Sequence, residues 1–257
     1  MNPVMIFDIE TVPDTQAGRT LHEGLADMDD QAVAAALGHL RRQQNGTDFL
    51  PLHLHRVVAI SVVLATHDTL KVWSLGDLDA DEAELLSRFF AGIERYHPTL
   101  VSWNGSGFDL PVLHYRGLLH GISAPDYWEI GDQAREFRYN NYLGRYHWRH
   151  IDLMDVLAGY QPRANAPLTQ IATMLGFPGK MGMSGDKVWE AWQRGDLEGI
   201  RNYCETDVLN TYLVYLRFER FRGRLDATAL QAEQQRLREM LSQSPKPHLQ
   251  AFLHAWP

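Results

Sequence analysis

Asp8 and Glu10 stand two residues apart at the end of Val4-Met5-Ile6-Phe7, a run that is otherwise apolar. Alternation in a strand puts both carboxylates on one face. Carboxylates closing an apolar strand are costly unless a cation sits with them, and all-oxygen donors of this kind suit Mg²⁺ or Mn²⁺. The plain alternative is a strand end emerging into water, and an Asp-x-Glu alone is a common accident. Asp109 closes Ser102-Trp103-Asn104-Gly105-Ser106-Gly107-Phe108-Asp109, where a strand turns into a helix. An aspartate at such a junction is commonly a helix cap. In Tyr203-Cys204-Glu205-Thr206-Asp207, helical spacing puts Tyr203 and Asp207 on one face. A phenol and a carboxylate side by side can hold a water between them and a metal; the competing role for Tyr203 is that of a buried core tyrosine. Glu205 lies off that face and is expected in solvent.

In this order and at these separations, the three segments resemble the DEDD superfamily of 3′→5′ exonucleases, and specifically its tyrosine-bearing branch. Phe7-Asp8-Ile9-Glu10-Thr11 matches the first motif, Asn104 to Asp109 the second, and Tyr203 to Asp207 the third. The stretches His55–Ser61 and Ile151–Leu157 look like the bacterial proteins related to the proofreading domain of family B DNA polymerases. The resemblance covers about residues 1–220.

It implies an α/β, RNase H-like mixed central sheet flanked by helices. It implies a metal-dependent 3′→5′ exonuclease that acts on single-stranded nucleic acid, DNA or RNA, and releases nucleoside 5′-monophosphates. The cofactors would be two divalent ions, Mg²⁺ or Mn²⁺, about 3.5–4 Å apart. Asp8 would bridge both ions, Glu10 and Asp207 would complete the water-activating site, and Asp109 would support the second ion. Tyr203 would orient the attacking water. Thr11 and Asn104 could hydrogen-bond the terminal nucleotide, and Phe108 could pack on its base or sugar, although core packing is the commoner role of such a ring. The competing function is a nucleic-acid-binding protein on the same fold without turnover. An aspartyl phosphatase fits less well, because Glu10 stands where a second aspartate is expected.

Other residues carry weaker signals. Arg135, Arg138, Arg145 and Arg149 alternate with Phe137, Tyr139, Tyr142, Tyr146 and Trp148. Rings that stack on bases between phosphate-binding arginines make such a pattern, and so does an amphipathic strand pair. His53-x-His55 could chelate a metal, with a surface strand the better reading. Lys180 and Lys187 flank a glycine-rich loop that could touch phosphate, but the chain has no Gly-Lys-Ser/Thr. Asp152 and Asp155 could be extra metal ligands, but Asp152 reads better as a helix cap and Asp155 as a structural partner.

The elements that must position these residues follow from periodicity. Val4–Phe7 reads as a central strand buried on both faces, Arg56–Ala65 and Leu70–Leu75 as a meander, and Leu100–Trp103 as a further strand. Helices are expected over Asp81–Tyr96, Asp109–Leu119, Leu168–Leu175, Val188–Arg194, Ile200–Arg220 and Asp226–Gln243. Residues 1–220 are expected to form the exonuclease domain, with 15–50 an insertion or mobile helical segment. Residues 221–257 would add a helix and a loosely held tail from Ser244.

Composition bounds the rest. The 257 residues carry 24 Lys plus Arg against 32 Asp plus Glu, a net charge of −8, so net charge implies no basic binding face. Binding a polyanion would need local cations. One cysteine, Cys204, excludes an intrachain disulfide and a multi-cysteine zinc site. No apolar run approaches the ~20 residues of a membrane span, and no secretory signal opens the chain. A soluble, cytoplasmic protein is expected.

Overall fold

The computed structural model describes residues 3–257. Its centre is strand β1 (Val4–Pro13), the middle of a five-stranded sheet in the order β3-β2-β1-β4-β5. β2 (His55–Ala65) runs antiparallel to β1, and β3 (Leu70–Ser74) is antiparallel to β2. β4 (Thr99–Ser102) and β5 (His150–Asp152) continue the other side in parallel. The β-branched density of β1 and β2 suits strands covered on both faces. The chain is therefore α/β with a mixed sheet between helical layers, the RNase H-like arrangement.

Two helices, α1 (Thr15–Leu21) and α2 (Asp30–Asn45), follow β1 directly. They close over a small core of their own, Leu25, Val33, Leu37, Leu50 and Leu54. α3 (Glu82–Tyr96), α4 (Asp109–His120) and the short α5 (Pro125–Trp128) cover one sheet face, where Met5, Phe7 and Ile9 point. The opposite face takes Val4 and Ile6 and is covered by helices from later in the chain. These are α6 (Leu153–Leu157), α7 (Leu168–Met174), α8 (Val188–Gln193) and the long α9 (Leu197–Phe221). α10 (Ala227–Ser242) and α11 (Pro247–Ala255) complete that layer.

Two expectations are corrected. The segment after Ser244 is no loose tail: α11 sinks Leu249 and Phe252 into the core beside Tyr212 and Leu241, and Trp256 follows them under the Arg238 guanidinium, 3.9 Å from the ring centroid. Apolar spacing in a segment bounded by Pro247 and Pro257 was enough for one buried helical stripe. Nor does the aromatic and arginine-rich stretch form a strand. Phe137 and Tyr142 are buried and Arg149 stacks on Phe137, so three of its nine residues serve the core.

Candidate active site

Pleat alternation decides where Asp8 and Glu10 point. Met5, Phe7 and Ile9 fill the α3/α4 side, so Asp8 and Glu10 face α9. Asp8 pairs with Ser61 and Glu10 with Ala59, and the register shifts just after Glu10. Such a bulge re-aims the following side chains. The Sγ of Cys204 on α9 lies 3.4 Å from the Asp8 carbonyl and 3.5 Å from its carboxylate. Ligand atoms of Asp8, Glu10 and Cys204 all fall within 4.8 Å of one another.

Asp109 reaches the same place from the opposite helix layer. It is the first residue of α4 and buried, and its Oδ1 accepts the Ile9 amide at 3.1 Å. The residue before it, Phe108, is the capping position and makes no side-chain cap. Asp109 is therefore not the helix cap that its position suggested; its carboxylate is committed to β1. The turn ahead of it is held by Asp152, whose two oxygens accept the Asn104 and Ser106 amides, each at 2.9 Å. Asp152 also caps α6, as expected. A side chain at Gly105 would run into Ser102 and approach the Phe7 ring, so the turn can close this tightly only with glycine.

α9 supplies Tyr203 and Asp207, half-buried at the site. A hydrogen bond with Tyr203 and the charge of Lys180 both pull the Asp207 carboxyl down, but burial outweighs them and leaves it at about 6. Asn210, one turn beyond Asp207, explains why Lys180 is there. Its amide accepts from Gly179 N at 3.0 Å and donates to Gly179 O at 2.7 Å, pinning the loop to α9. That pair joins residues 31 apart, and nothing in local sequence pattern marks it.

Glu205 is not in solvent. It is buried and accepts from Ser74 N and Oγ, each at 3.0 Å, from Lys246 Nζ at 2.8 Å, and from His248 Nε2 at 2.8 Å. These donors hold its carboxyl below the usual range despite burial. The face of α9 opposite the tyrosine faces strand β3 and the start of α11, not water.

The four other acids behave differently. Burial first, and then the neighbouring carboxylates, push Asp8 and Glu10 well above the ordinary range. Burial raises Asp109 to about 7. Burial and the carboxylates of Asp207 and Glu10 push the Tyr203 phenol up, so it stays protonated at neutral pH. None of the four acids has an ion-pair partner among the described residues. Oxygen donors crowded together without a close ion pair are what a hard divalent cation needs and what a protein without one would avoid.

Beside Glu10 opens a cleft of about 560 Å³ lined by Thr11, Phe49, His55, Asn104, Phe108 and Trp189, among others. Thr11 Oγ1 is already bonded to His55 Nδ1 at 2.9 Å, while His55 Nε2 meets the Leu50 carbonyl at 3.2 Å. His55 is thus spent on structure, and His53 packs against Tyr115 instead of joining it as a chelate. Phe108 packs edge-on to His55 and 5.8 Å from Phe49, which arrives from the segment after α2. Asn104 holds a left-handed backbone, φ 67°, at the cleft wall.

A mixed RNase H-like sheet with acids gathered from its central strand, the opposing helix and a long covering helix defines the DEDD exonuclease class. Within that class the chain belongs to the family described as predicted 3′-5′ exonuclease related to the exonuclease domain of PolB, which matches residues 47–256. The match includes Asp109, Tyr203 and Asp207; Asp8 and Glu10 lie ahead of it. Among curated proteins, the chain is similar to a DNA polymerase of Archaeoglobus fulgidus, 26% identical over 140 residues, 53% of this chain and 17% of that protein. It is similar to the catalytic polypeptide of DNA polymerase epsilon from Saccharomyces cerevisiae, 27% identical over 146 residues, 54% of this chain and 6% of the other. The Dictyostelium discoideum protein of the same name is 28% identical over 146 residues, again 54% of this chain and 6% of the other. The matched segments are therefore small parts of much longer polymerases. Among the described residues no helix is long and apolar enough to cross a membrane.

Proposed function

We propose that the protein is a 3′→5′ exonuclease that hydrolyses the terminal phosphodiester bond of single-stranded nucleic acid and releases nucleoside 5′-monophosphates. The observation that carries this reading is the gathering of Asp8, Glu10, Asp109 and Asp207 from three elements, with no ion pair to any of them among the described residues. These four would hold two divalent ions, Mg²⁺ or Mn²⁺, and Asp8, whose carboxyl feels the charge of the other three, would be shared between them.

When bound, the ions neutralise the phosphate and ease the loss of a proton from the attacking water. The chain's own groups do the rest. Tyr203, held protonated with its hydroxyl hydrogen on Asp207, offers its oxygen to orient the water and does not remove the water's proton. Asp109, fixed through Ile9, keeps the second carboxylate wall in place. Lys180 stands beside Asp207, where its ammonium can meet a non-bridging phosphate oxygen. Thr11 and Asn104 line the wall for the terminal nucleotide, and Phe108 with Phe49 offers its base an apolar surface. The new bond forms between the water oxygen and phosphorus, the bond from phosphorus to O3′ breaks, and O3′ takes a proton.

In this reading residues 1–220 carry the chemistry, the segment 15–50 contributes a cleft wall through Phe49, and residues 221–257 brace α9. The site of action is cytoplasmic. The test is a side-by-side digestion of matched DNA and RNA oligonucleotides labelled at the 5′ end, with Mg²⁺, with Mn²⁺ and with chelator. Stepwise shortening from the 3′ end, lost in Asp8→Asn, is expected. Binding without shortening by the wild-type protein would favour a non-catalytic binder on the same fold, and rapid cutting of a circular strand would point to an endonuclease.

A further inference from the structure

A strand must lie on something before it enters the cleft. One side of the cleft mouth is the Asn104–Ser106 turn, fixed by Asp152. Asp152 also accepts the Asp155 amide, and Asp155 carries a two-pronged ion pair with Arg145, at 3.0 and 3.1 Å. On this base stand two tyrosines. Tyr160 N donates to the Asp155 carbonyl, and the rings of Tyr146 and Tyr160 meet edge to face, 4.8 Å apart. The Arg145 guanidinium lies 5.4 Å from the Tyr160 ring centroid. Trp103 Nε1, bonded to the Ala166 carbonyl at 3.1 Å, ties the far end of the Tyr160 loop to the same turn.

Three features separate this group from ordinary packing. Tyr146 is 69% exposed, a ring that leaves the sheet core no area to gain from it. Tyr160 has φ 60°, a left-handed backbone that a bulky ring adopts only at a cost of order 1–3 kcal/mol. Asn104, at the cleft wall, is one of only two other non-glycine residues in that conformation among those described. An exposed ring set against a half-buried one, backed by a guanidinium fixed in place, on a strained loop tied to the active-site turn, has the chemistry of a stacking surface for bases.

We propose that Tyr146 and Tyr160, with Arg145, form the platform on which nucleobases upstream of the 3′ end stack as a single strand leads into the cleft. The inference rests on the exonuclease reading and adds to it the path of the strand. The ring faces are tolerant of base and sugar, so DNA and RNA share the site.

Steady-state hydrolysis of 12-mers and of dinucleotides, in deoxythymidine and uridine series, tests it with Mg²⁺ or Mn²⁺ present. Tyr160→Asn removes the ring but keeps a residue that tolerates the left-handed backbone. Tyr146→Ser removes the other ring. Each is expected to raise KM for both 12-mers about tenfold, leave kcat unchanged and leave dinucleotide hydrolysis unchanged. Tyr160→Phe is expected to retain wild-type KM, and the melting temperature of Tyr160→Asn is expected to equal or exceed that of the wild type. Unchanged KM for the 12-mers would overturn the platform. Equal loss on 12-mer and dinucleotide, or loss confined to the uridine series, would overturn it as well, the first assigning the rings to structure and the second to a 2′-hydroxyl contact. Failure of the wild-type protein to hydrolyse either length would refute the exonuclease reading itself, a distinct result.

Discussion

The Ile9 amide, between Asp8 and Glu10 on the central strand, donates to the Asp109 carboxylate at 3.1 Å. One hydrogen bond thus locks the acid from α4 to the strand that carries the other two. It gives Asp109 two separable duties, acceptor for a buried amide and negative wall of the site.

Substitutions at position 109 should split those duties. Asp109→Asn keeps an acceptor for Ile9 and removes the charge, so folding is expected to survive while the rate falls by at least two decades, about 2.7 kcal/mol in barrier. Asp109→Ala strands the amide and should additionally cost about 1–3 kcal/mol of stability. Urea titrations of both variants, beside an oligonucleotide digestion assay, measure the two effects. Full activity in Asp109→Asn would remove Asp109 from the chemistry.

Tyr203 is held protonated, so its contribution is a positioning hydrogen bond. Tyr203→Phe is expected to slow turnover by about one to two decades, the worth of a hydrogen bond of ~1–3 kcal/mol. Affinity for Mn²⁺, read by calorimetry, should change little. Asp207→Asn should weaken Mn²⁺ binding as well as the rate.

The crowded acids set a pH dependence for the metal-free protein. Asp109 and Asp207 hold their protons to about 7 and about 6 when folded. Unfolded, they release them near the ordinary aspartate value of ~3.9. Between those limits the folded state binds more protons than the unfolded one. Its stability therefore falls as pH rises through about 4 to 7, by up to ~1.4 kcal/mol per unit for each proton held. His150 opposes this: buried, it is depressed to about 4, so its contribution is lost as pH falls from its unfolded value of ~6.5 towards 4. The difference in melting temperature between wild type and Asp207→Asn isolates the acid. That substitution should stabilise the metal-free protein at pH 7.5, by about half as much at pH 5 and hardly at all below pH 4, and saturating Mg²⁺ should shrink the gain.

Glu205 joins α9 to β3 and to the start of α11. Glu205→Ala leaves the Ser74 amide and His248 without their acceptor and is expected to cost about 3 kcal/mol. Lys246→Met should cost no more than about 1 kcal/mol, since the lysine side chain is half exposed. Equal losses from the two substitutions, measured by chemical denaturation, would show that the lysine carries the junction.

Much of the architecture is written locally. The apolar density of Val4–Phe7 and of residues 56–65 announces covered strands. The spacing of Leu85, Leu86, Phe89, Phe90 and Ile93 announces the buried stripe of α3, and all five are buried. The two-residue and four-residue spacings of Asp8 with Glu10 and Tyr203 with Asp207 put each pair on one face, because pleat and helix periods are properties of neighbouring residues. Asp152 was legible as a cap for the same reason.

What stayed illegible depends on partners far along the chain. Glu205 read as solvated because it lies off the face shared by Tyr203 and Asp207; the amide, hydroxyl, ammonium and imidazole that bury it come from residues 74, 246 and 248. Asp109 read as a cap because its acceptor role is filled from 100 residues away. The nine-residue interleaving of rings and arginines gave no sign of which would enter the core, since only packing chose Phe137, Tyr142 and Arg149 for it and left Tyr146 outside. The sequence alone determined the elements and the acids each could carry, through periods that neighbouring residues set. Only the tertiary structure decided which acids share one uncompensated space and which are matched with donors, because burial and charge pairing are set by contacts the chain makes across itself.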